Sequence, residues 1–333
     1  MRLLVKVLIA AGLLWSLYWY AAGYGLRTSV TGWFAQQETR GWQAEFSEIS
    51  TSGYPFRHVT ALTSPALADP RNGTAWQADW LMLESPAIWP GRQTLRFPDT
   101  SQRLSYFDQT AVIAAENLQA VLFLHPGLAL ALDKMAVSSG AWTIQTGDGD
   151  LLGAEDLTLA MEQVGTPETY RIDLSAAGFT PGDGLRRLSG SSASLPPSFE
   201  TLQLRTTVTF DRSWDRSALE ESRPQPRRID LDLAEMKWGA LSLFVAGELD
   251  VDEQGIPTGE LAFKAENWRE MLTMAENAGA LPPQATAPVS RVLNMLAGLG
   301  GNPNSLDVQL NFRDGFVAFG PIPLGPAPRL VIR

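Results

Sequence analysis

Thr201-Leu202-Gln203-Leu204-Arg205-Thr206-Thr207-Val208-Thr209-Phe210 alternates with period two. On an extended strand, Leu202, Leu204, Thr206, Val208 and Phe210 share one face, and Gln203, Arg205, Thr207 and Thr209 share the other. A strand that is dry on one side and wet on the other suits an antiparallel sheet. The pattern recurs at Leu157, Leu159 and Met161; at Ile229, Leu231 and Leu233; at Leu241, Leu243, Val245, Leu249 and Val251; and at Leu306, Val308, Leu310 and Phe312. Asp314-Gly315 separates Phe312 from Phe316, and Gln254-Gly255 with Pro257 and Gly259 separates Val251 from Leu261, both hairpin signals. The expected fold is mainly β, an α+β chain built on a long antiparallel sheet from about Phe46 onward. Its dry face supplies a candidate apolar lining: Leu202, Leu204, Val208, Phe210, Leu241, Leu243, Leu306, Val308 and Leu310. Alternation defines this face; either protein or ligand could fill it.

Two helices are expected late in the chain. Asn267 stands where it could cap the first, with Glu270 three residues on, and Trp268, Met271, Leu272 and Ala275 form its stripe. Gly279 would stop it. Val289, Val292, Leu293, Leu296 and Leu299 form the second stripe, closed by Gly300-Gly301, with Pro282-Pro283 between the helices. Both stripes read as core against the sheet. Ser189 to Ser198, and the polar break from Asp211 to Arg228, read as loops, so the β-rich region 43–333 could divide into two halves near residue 195.

Before the sheet, Arg2 and Lys6 precede an uncharged run from Val7 to Tyr24, long enough to be a candidate membrane span. Trp15, Tyr18, Trp19, Tyr20 and Tyr24 crowd its second half, where amphipathic rings would sit at headgroup level. The other reading is a cleaved signal peptide cut at Ala21-Ala22-Gly23. Either reading exports Gly25 to Arg333. As an anchor it predicts a single pass with the N-terminus cytoplasmic and the bulk on the far side of the membrane. A juxtamembrane helix, residues 25–42, would carry Trp33 and Phe34 and end near Gly41.

Arg2 and Lys6 are the only charges in the first 24 residues. Of 26 Lys+Arg and 36 Asp+Glu, the remainder therefore carries 24 and 36, a net charge of −12. That balance argues against nucleic acid as a partner. The chain has no cysteine and is long enough to bury a core without disulfides.

The motifs of chemistry are weak. His58 and His125 stand far apart, and neither has a carboxylate at metal-ligand spacing. Gly147-Asp148-Gly149 with Gly153 has the wrong spacing for a dinucleotide fingerprint. Asp250 to Gly255 imitates the start of a calcium loop, but Leu261 occupies the twelfth position, where a bidentate Glu is needed. Asn72-Gly73-Thr74 matches a glycosylation acceptor. Asp230 and Asp232 lie on a wet strand face. No catalytic, cofactor or metal residues are expected, and the chain is not read as an enzyme.

Gly53-Tyr54-Pro55-Phe56-Arg57, Ala66-Leu67-Ala68-Asp69-Pro70, and the closing run Leu306 to Leu330 with Phe312-Arg313-Asp314-Gly315 and Phe319-Gly320-Pro321-Ile322-Pro323-Leu324-Gly325-Pro326-Ala327-Pro328 carry a resemblance. Together they resemble the alphaproteobacterial family of domain of unknown function 2125, over most of the chain after the anchor. That family is similar to the wider AsmA-like group of anchored periplasmic proteins. The resemblance implies a long, curved, taco-shaped sheet with an apolar groove, and a role in phospholipid movement and envelope homeostasis; it supplies no catalytic residues.

Three functions are therefore weighed: binding or conducting lipid acyl chains, a scaffold for other envelope proteins, and an unrecognised hydrolase. For structure, Tyr54-Pro55-Phe56 and Arg57 are expected to turn the chain into the first strand with the rings packed inward, so that Phe56→Ala costs about 3–5 kcal/mol. Asp314-Gly315 is expected to form a tight turn with Gly315 at positive φ.

Overall fold

The computed structural model describes residues 1–333 apart from positions 72, 90, 148, 150, 183, 185–194, 278–282, 300, 301, 321 and 333. The chain is mainly β, and the strands described pair antiparallel. It forms two compact units, residues 1–124 with 144–149, and residues 125–143 with 150–333.

The first unit opens with α1 (Arg2–Thr39), one uninterrupted helix of 38 residues. Its N-terminal part is long and apolar enough to cross a membrane. The expected anchor and juxtamembrane helix are thus one element, capped by Arg40 and followed by Gly41 at φ +88. Then come β1 (Gln43–Glu45), β2 (Glu48–Ser52), β3 (Arg57–Thr63), β4 (Ala66–Asp69), β5 (Thr74–Gln77), β6 (Trp80–Pro86), β7 (Arg92–Arg96), β8 (Gln102–Tyr106), β9 (Gln109–Ala115) and β10 (Gln119–Leu124). They pair as β2-β3-β6-β7-β10 and as β1-β4-β5-β8-β9. Phe34 of α1 packs with Ala44 and Leu62, and Val30, Trp33, Phe46, Leu67 and Leu83 close around them.

The second unit contains β11 (Leu132–Ser139), β13 (Leu151–Ala154), β14 (Leu157–Gln163), β15 (Thr169–Ser175), β16 (Thr201–Phe210), α2 (Ser217–Glu220), β17 (Pro226–Trp238), β18 (Leu241–Val251), β19 (Pro257–Glu266), α3 (Trp268–Asn277), α4 (Pro283–Leu299), β20 (Ser305–Arg313), β21 (Phe316–Phe319) and β22 (Ile322–Pro326). The remaining strand, β12 (Trp142–Thr146), has residues in both units. The ladder β11-β14-β15-β16-β17-β18-β19-β20-β21-β22 is a meander of neighbours close in sequence. Residue 195 lies within this unit: the serine-rich stretch joins β15 to its partner β16. Gly279, Pro282, Gly300 and Gly301 fall outside the described residues.

Asp314 at φ +53 and Gly315 at φ +77 make the turn between β20 and β21, with two successive left-handed residues as a type I′ hairpin requires. At the β18–β19 tip, Asp252 Oδ1 accepts the N–H groups of Gln254 (2.9 Å) and Ile256 (2.8 Å). The calcium-like run is a hairpin whose carboxylate is occupied by its own backbone. Past β22 the chain doubles back: Gln225 Nε2 donates to the Ile332 carbonyl at 2.8 Å and Gln225 Oε1 accepts the Ile332 N–H at 3.0 Å.

Two local expectations fail. Asn267 is no N-cap: it sits at φ +57 and its side-chain amide donates to the Ala240 carbonyl, tying the helix start to the β17–β18 turn. Leu233 does not continue the dry face of Ile229 and Leu231. A bulge at Asp232 pairs Leu231 with Thr206 but Leu233 with Arg205, and one inserted residue moves the next side chain to the opposite face.

Candidate functional site

Directly paired residues of antiparallel strands share a face, so the registers of the second unit can be followed as rows. One row runs Met135, Met161, Ile172, Thr206, Leu231, Gly247, Leu261, Leu310 and Phe319. Its neighbour runs Val137, Leu159, Leu174, Leu204, Ala234, Val245, Phe263 and Val308. A third joins Leu202, Met236, Leu243, Ala265 and Leu306. The reverse face carries Lys134, Glu162, Arg171, Thr207, Asp230, Glu248, Glu260 and Asn311. Its ion pairs, such as Arg205 with Asp173 at 3.1 Å and Arg228 with Asp230 at 3.0 Å, are exposed and contribute little to stability. One side of this sheet is thus wet and the other apolar from strand to strand.

Along the second row every residue from Val137 to Val308 is only half-buried, so the described residues do not fully cover it. At the β18–β22 end, α3 and α4 lie over the rows. Trp268, buried at the start of α3, packs with Ala265, Ala297 and Leu306, and Met271, Leu272, Leu293 and Leu296 complete the contact. Beneath the helices is a cavity of about 330 Å³ lined by Leu243, Phe263, Ala265, Trp268, Met271, Leu272, Ala275, Val289, Val292, Leu293, Leu306, Val308, Leu310, Phe319 and Leu324. All fifteen are apolar, and the volume lies at the lower end of the range of about 300–1,000 Å³ for ligand sites. The indole N–H of Trp268 is spent on the Pro303 carbonyl at 3.2 Å, so this space offers water few partners and hydrocarbon many.

The expected lining divides three ways. Leu243, Leu306, Val308 and Leu310 meet at this cavity. Leu202 and Leu204 lie in the half-buried rows. Val208 and Phe210 are buried near Tyr170 and Trp214, and Leu241 is enclosed with Phe199 and Trp238. Phe263, Phe319 and Leu324 were not singled out as lining; Phe263 was readable from its alternation with Leu261 and Ala265, whereas Leu324 was masked by the surrounding prolines.

The Tyr54–Arg57 turn, in the first unit, is not packed inward. Phe56 is 80% exposed and Tyr54 51%. Local sequence supplies an aromatic turn but not the element that must cover it. The turn instead meets α1. Trp15 Nε1 donates to the Pro55 carbonyl at 3.1 Å, and Trp19 Nε1 donates to that of Arg57 at 3.0 Å. Trp19 stacks on His58 at 4.8 Å. His58 is buried and, among the described residues, neither ring nitrogen has a hydrogen-bond partner; desolvation lowers its pKa. In the second unit, His125 Nε2 lies 2.9 Å from Gln163 Oε1 and 4.0 Å from Asp133. Among the described residues no group of three or more His, Cys, Asp or Glu is placed to hold a metal ion. Asn72 and Asp148, in the acceptor-like and glycine-rich motifs, lie outside the described residues.

The family model described as "Uncharacterized protein conserved in bacteria (DUF2125)" matches residues 19–328. The chain is a member of the DUF2125 family. No curated protein matches it. In this DUF2125 member the matched region begins within α1, at Trp19, and takes in the Tyr54–Arg57 turn, the apolar rows and the helix-covered cavity.

Proposed function

We propose that this protein, as a member of an alphaproteobacterial family, is a membrane-anchored module that holds lipid acyl chains on the apolar face of its second unit, in the manner of AsmA-like envelope proteins. The observation that carries the reading is the cavity of fifteen apolar residues at one end of a row, Val137 to Val308, that stays half-buried. Each methylene moved from water onto such a surface contributes about 0.8 kcal/mol, which suits hydrocarbon. In this reading α1 is a single-pass inner-membrane anchor with Arg2 and Lys6 cytoplasmic and the two units periplasmic. Retention of the anchor is supported by the indole hydrogen bonds of Trp15 and Trp19 to the first unit, which cleavage after Gly23 would remove.

The test is native mass spectrometry with lipid extraction on the full chain purified in mild detergent. Phospholipid at defined stoichiometry is expected in the wild type and lost in Val292→Glu, with the melting transition retained. A bare protein that also fails to take up added phosphatidylglycerol would overturn the reading and leave the rows as an assembly surface for other envelope proteins.

A further inference from the structure

The first unit meets α1 lower on the helix than a domain standing clear of a bilayer could. If α1 spans, as proposed above, Arg2 gives the lowest cytoplasmic end it can have, and a start after Lys6 only carries the far boundary further along the chain. At 1.5 Å per residue, about 20 residues are needed for a hydrocarbon layer of roughly 30 Å, which places the far boundary near Ala22. Tilt moves that boundary further along the chain. Yet the contacts with the unit begin at Trp15: Trp15 to Pro55, Ser16 Oγ to the Tyr54 hydroxyl at 2.8 Å, Tyr18 Oη to the Ala87 carbonyl at 2.7 Å, and Trp19 to Arg57. These positions lie on the order of 5–10 Å inside the boundary.

Two further observations agree. The side chains that this edge turns outward are Phe56 at 80%, Ile88 at 77% and Trp89 at 59% exposure, an apolar cluster that water would penalise. Irregular backbone is tolerated at membrane depth only where its polar groups are satisfied by protein. Here the carbonyls of Pro55, Arg57 and Ala87 accept from Trp15, Trp19 and Tyr18, and that of Phe56 accepts the Ala87 N–H at 2.9 Å. Arg57, the charge within the turn, is paired with Glu84 at 2.7 Å and has a stem long enough to reach the headgroups.

We propose that the edge formed by the Tyr54–Arg57 turn and residues 87–89 is immersed among the acyl chains of the outer leaflet, beside α1. The bilayer is then the surface that covers Phe56, Ile88 and Trp89, and the first unit is seated in the membrane.

The absence of cysteine makes the test direct. Single-cysteine variants Leu8→Cys, Phe56→Cys and Ile88→Cys of the full chain are spin-labelled and reconstituted into phosphatidylethanolamine–phosphatidylglycerol vesicles. Label collision rates are then read with oxygen, which partitions into lipid, and with a water-soluble nickel chelate. All three labels are expected to favour oxygen, with Phe56 and Ile88 shallower than Leu8. Labels at 56 and 88 that favour nickel while Leu8 favours oxygen would overturn the immersion and leave the span intact. Nickel access at Leu8 as well would overturn both. Protection of 56 and 88 from both reagents, with spin–spin broadening, would show a second copy of this chain on the edge and overturn the proposal.

Discussion

The two units meet the same problem, a sheet with one dry face, with different covers. In the first, a helix from the N-terminus lies on the sheet, and Leu62 beneath it is 1% exposed. In the second, α3 and α4 cover one end of the rows, while the row from Val137 to Val308 stays half-buried. The difference teaches that alternation specifies a dry face, whereas the cover is supplied by whichever element the chain can bring back over it.

That contrast can be broken at its strongest point first. Trp238 is 1% exposed, stacks on Phe199 at 4.7 Å and donates to the Pro196 carbonyl at 2.9 Å. Trp238→Ala is expected to cost about 3–5 kcal/mol in denaturant unfolding. Leu174, in the half-buried row, is expected to cost only about 1 kcal/mol as Leu174→Ala, because little enclosed cavity is left behind. A loss above about 2 kcal/mol, typical of an enclosed Leu→Ala change, would mean that the row is filled by protein and the contrast is false.

Gly315→Ala is expected to destabilise by about 1 kcal/mol, since the second left-handed residue of the turn gains a Cβ; no loss would mean that the turn relaxes to another type. The fourth prediction concerns pH. His58 is neutral in the folded first unit, with its pKa lowered from 6.5 by burial, so the unfolded chain takes up the proton first. Stability is complete above the unfolded pKa and falls as pH drops below it toward the native value. Thermal melts from pH 7.5 to 5 should show this slope in the wild type and lose part of it in His58→Gln; an unchanged slope would assign the acid sensitivity elsewhere. The smallest effect is expected at Phe56→Ala, within about 0.5 kcal/mol in detergent-solubilised protein, because the ring touches no core.

The strands were legible because each alternates on its own: Leu306, Val308 and Leu310 announce β20 without knowledge of β19. The hairpin at Asp314-Gly315 was legible because two left-handed residues leave few alternatives. The bulge at Asp232 was not, since the run Ile229, Leu231, Leu233 is apolar at every second place and only the register with β16 shows that Leu233 has crossed over. Phe56 was misread because burial depends on a partner about 40 residues away. A clue lay in α1, where Trp15, Tyr18 and Trp19 recur at helical spacing and so share a face. The cavity was half legible: its floor came from strand alternation and its roof from the α3 and α4 stripes, but nothing in either pattern set the gap between them.

One further property follows from β22, the last strand of the meander. It carries Pro323 and Pro326, with Pro328 just beyond, and no proline has an N–H to offer a neighbour. A sheet of this length is a template for adding strands from other chains, and a proline-studded border removes the donors that such growth would use. This strand is thus a selvedge, a border with fewer N–H groups for an incoming strand to pair with.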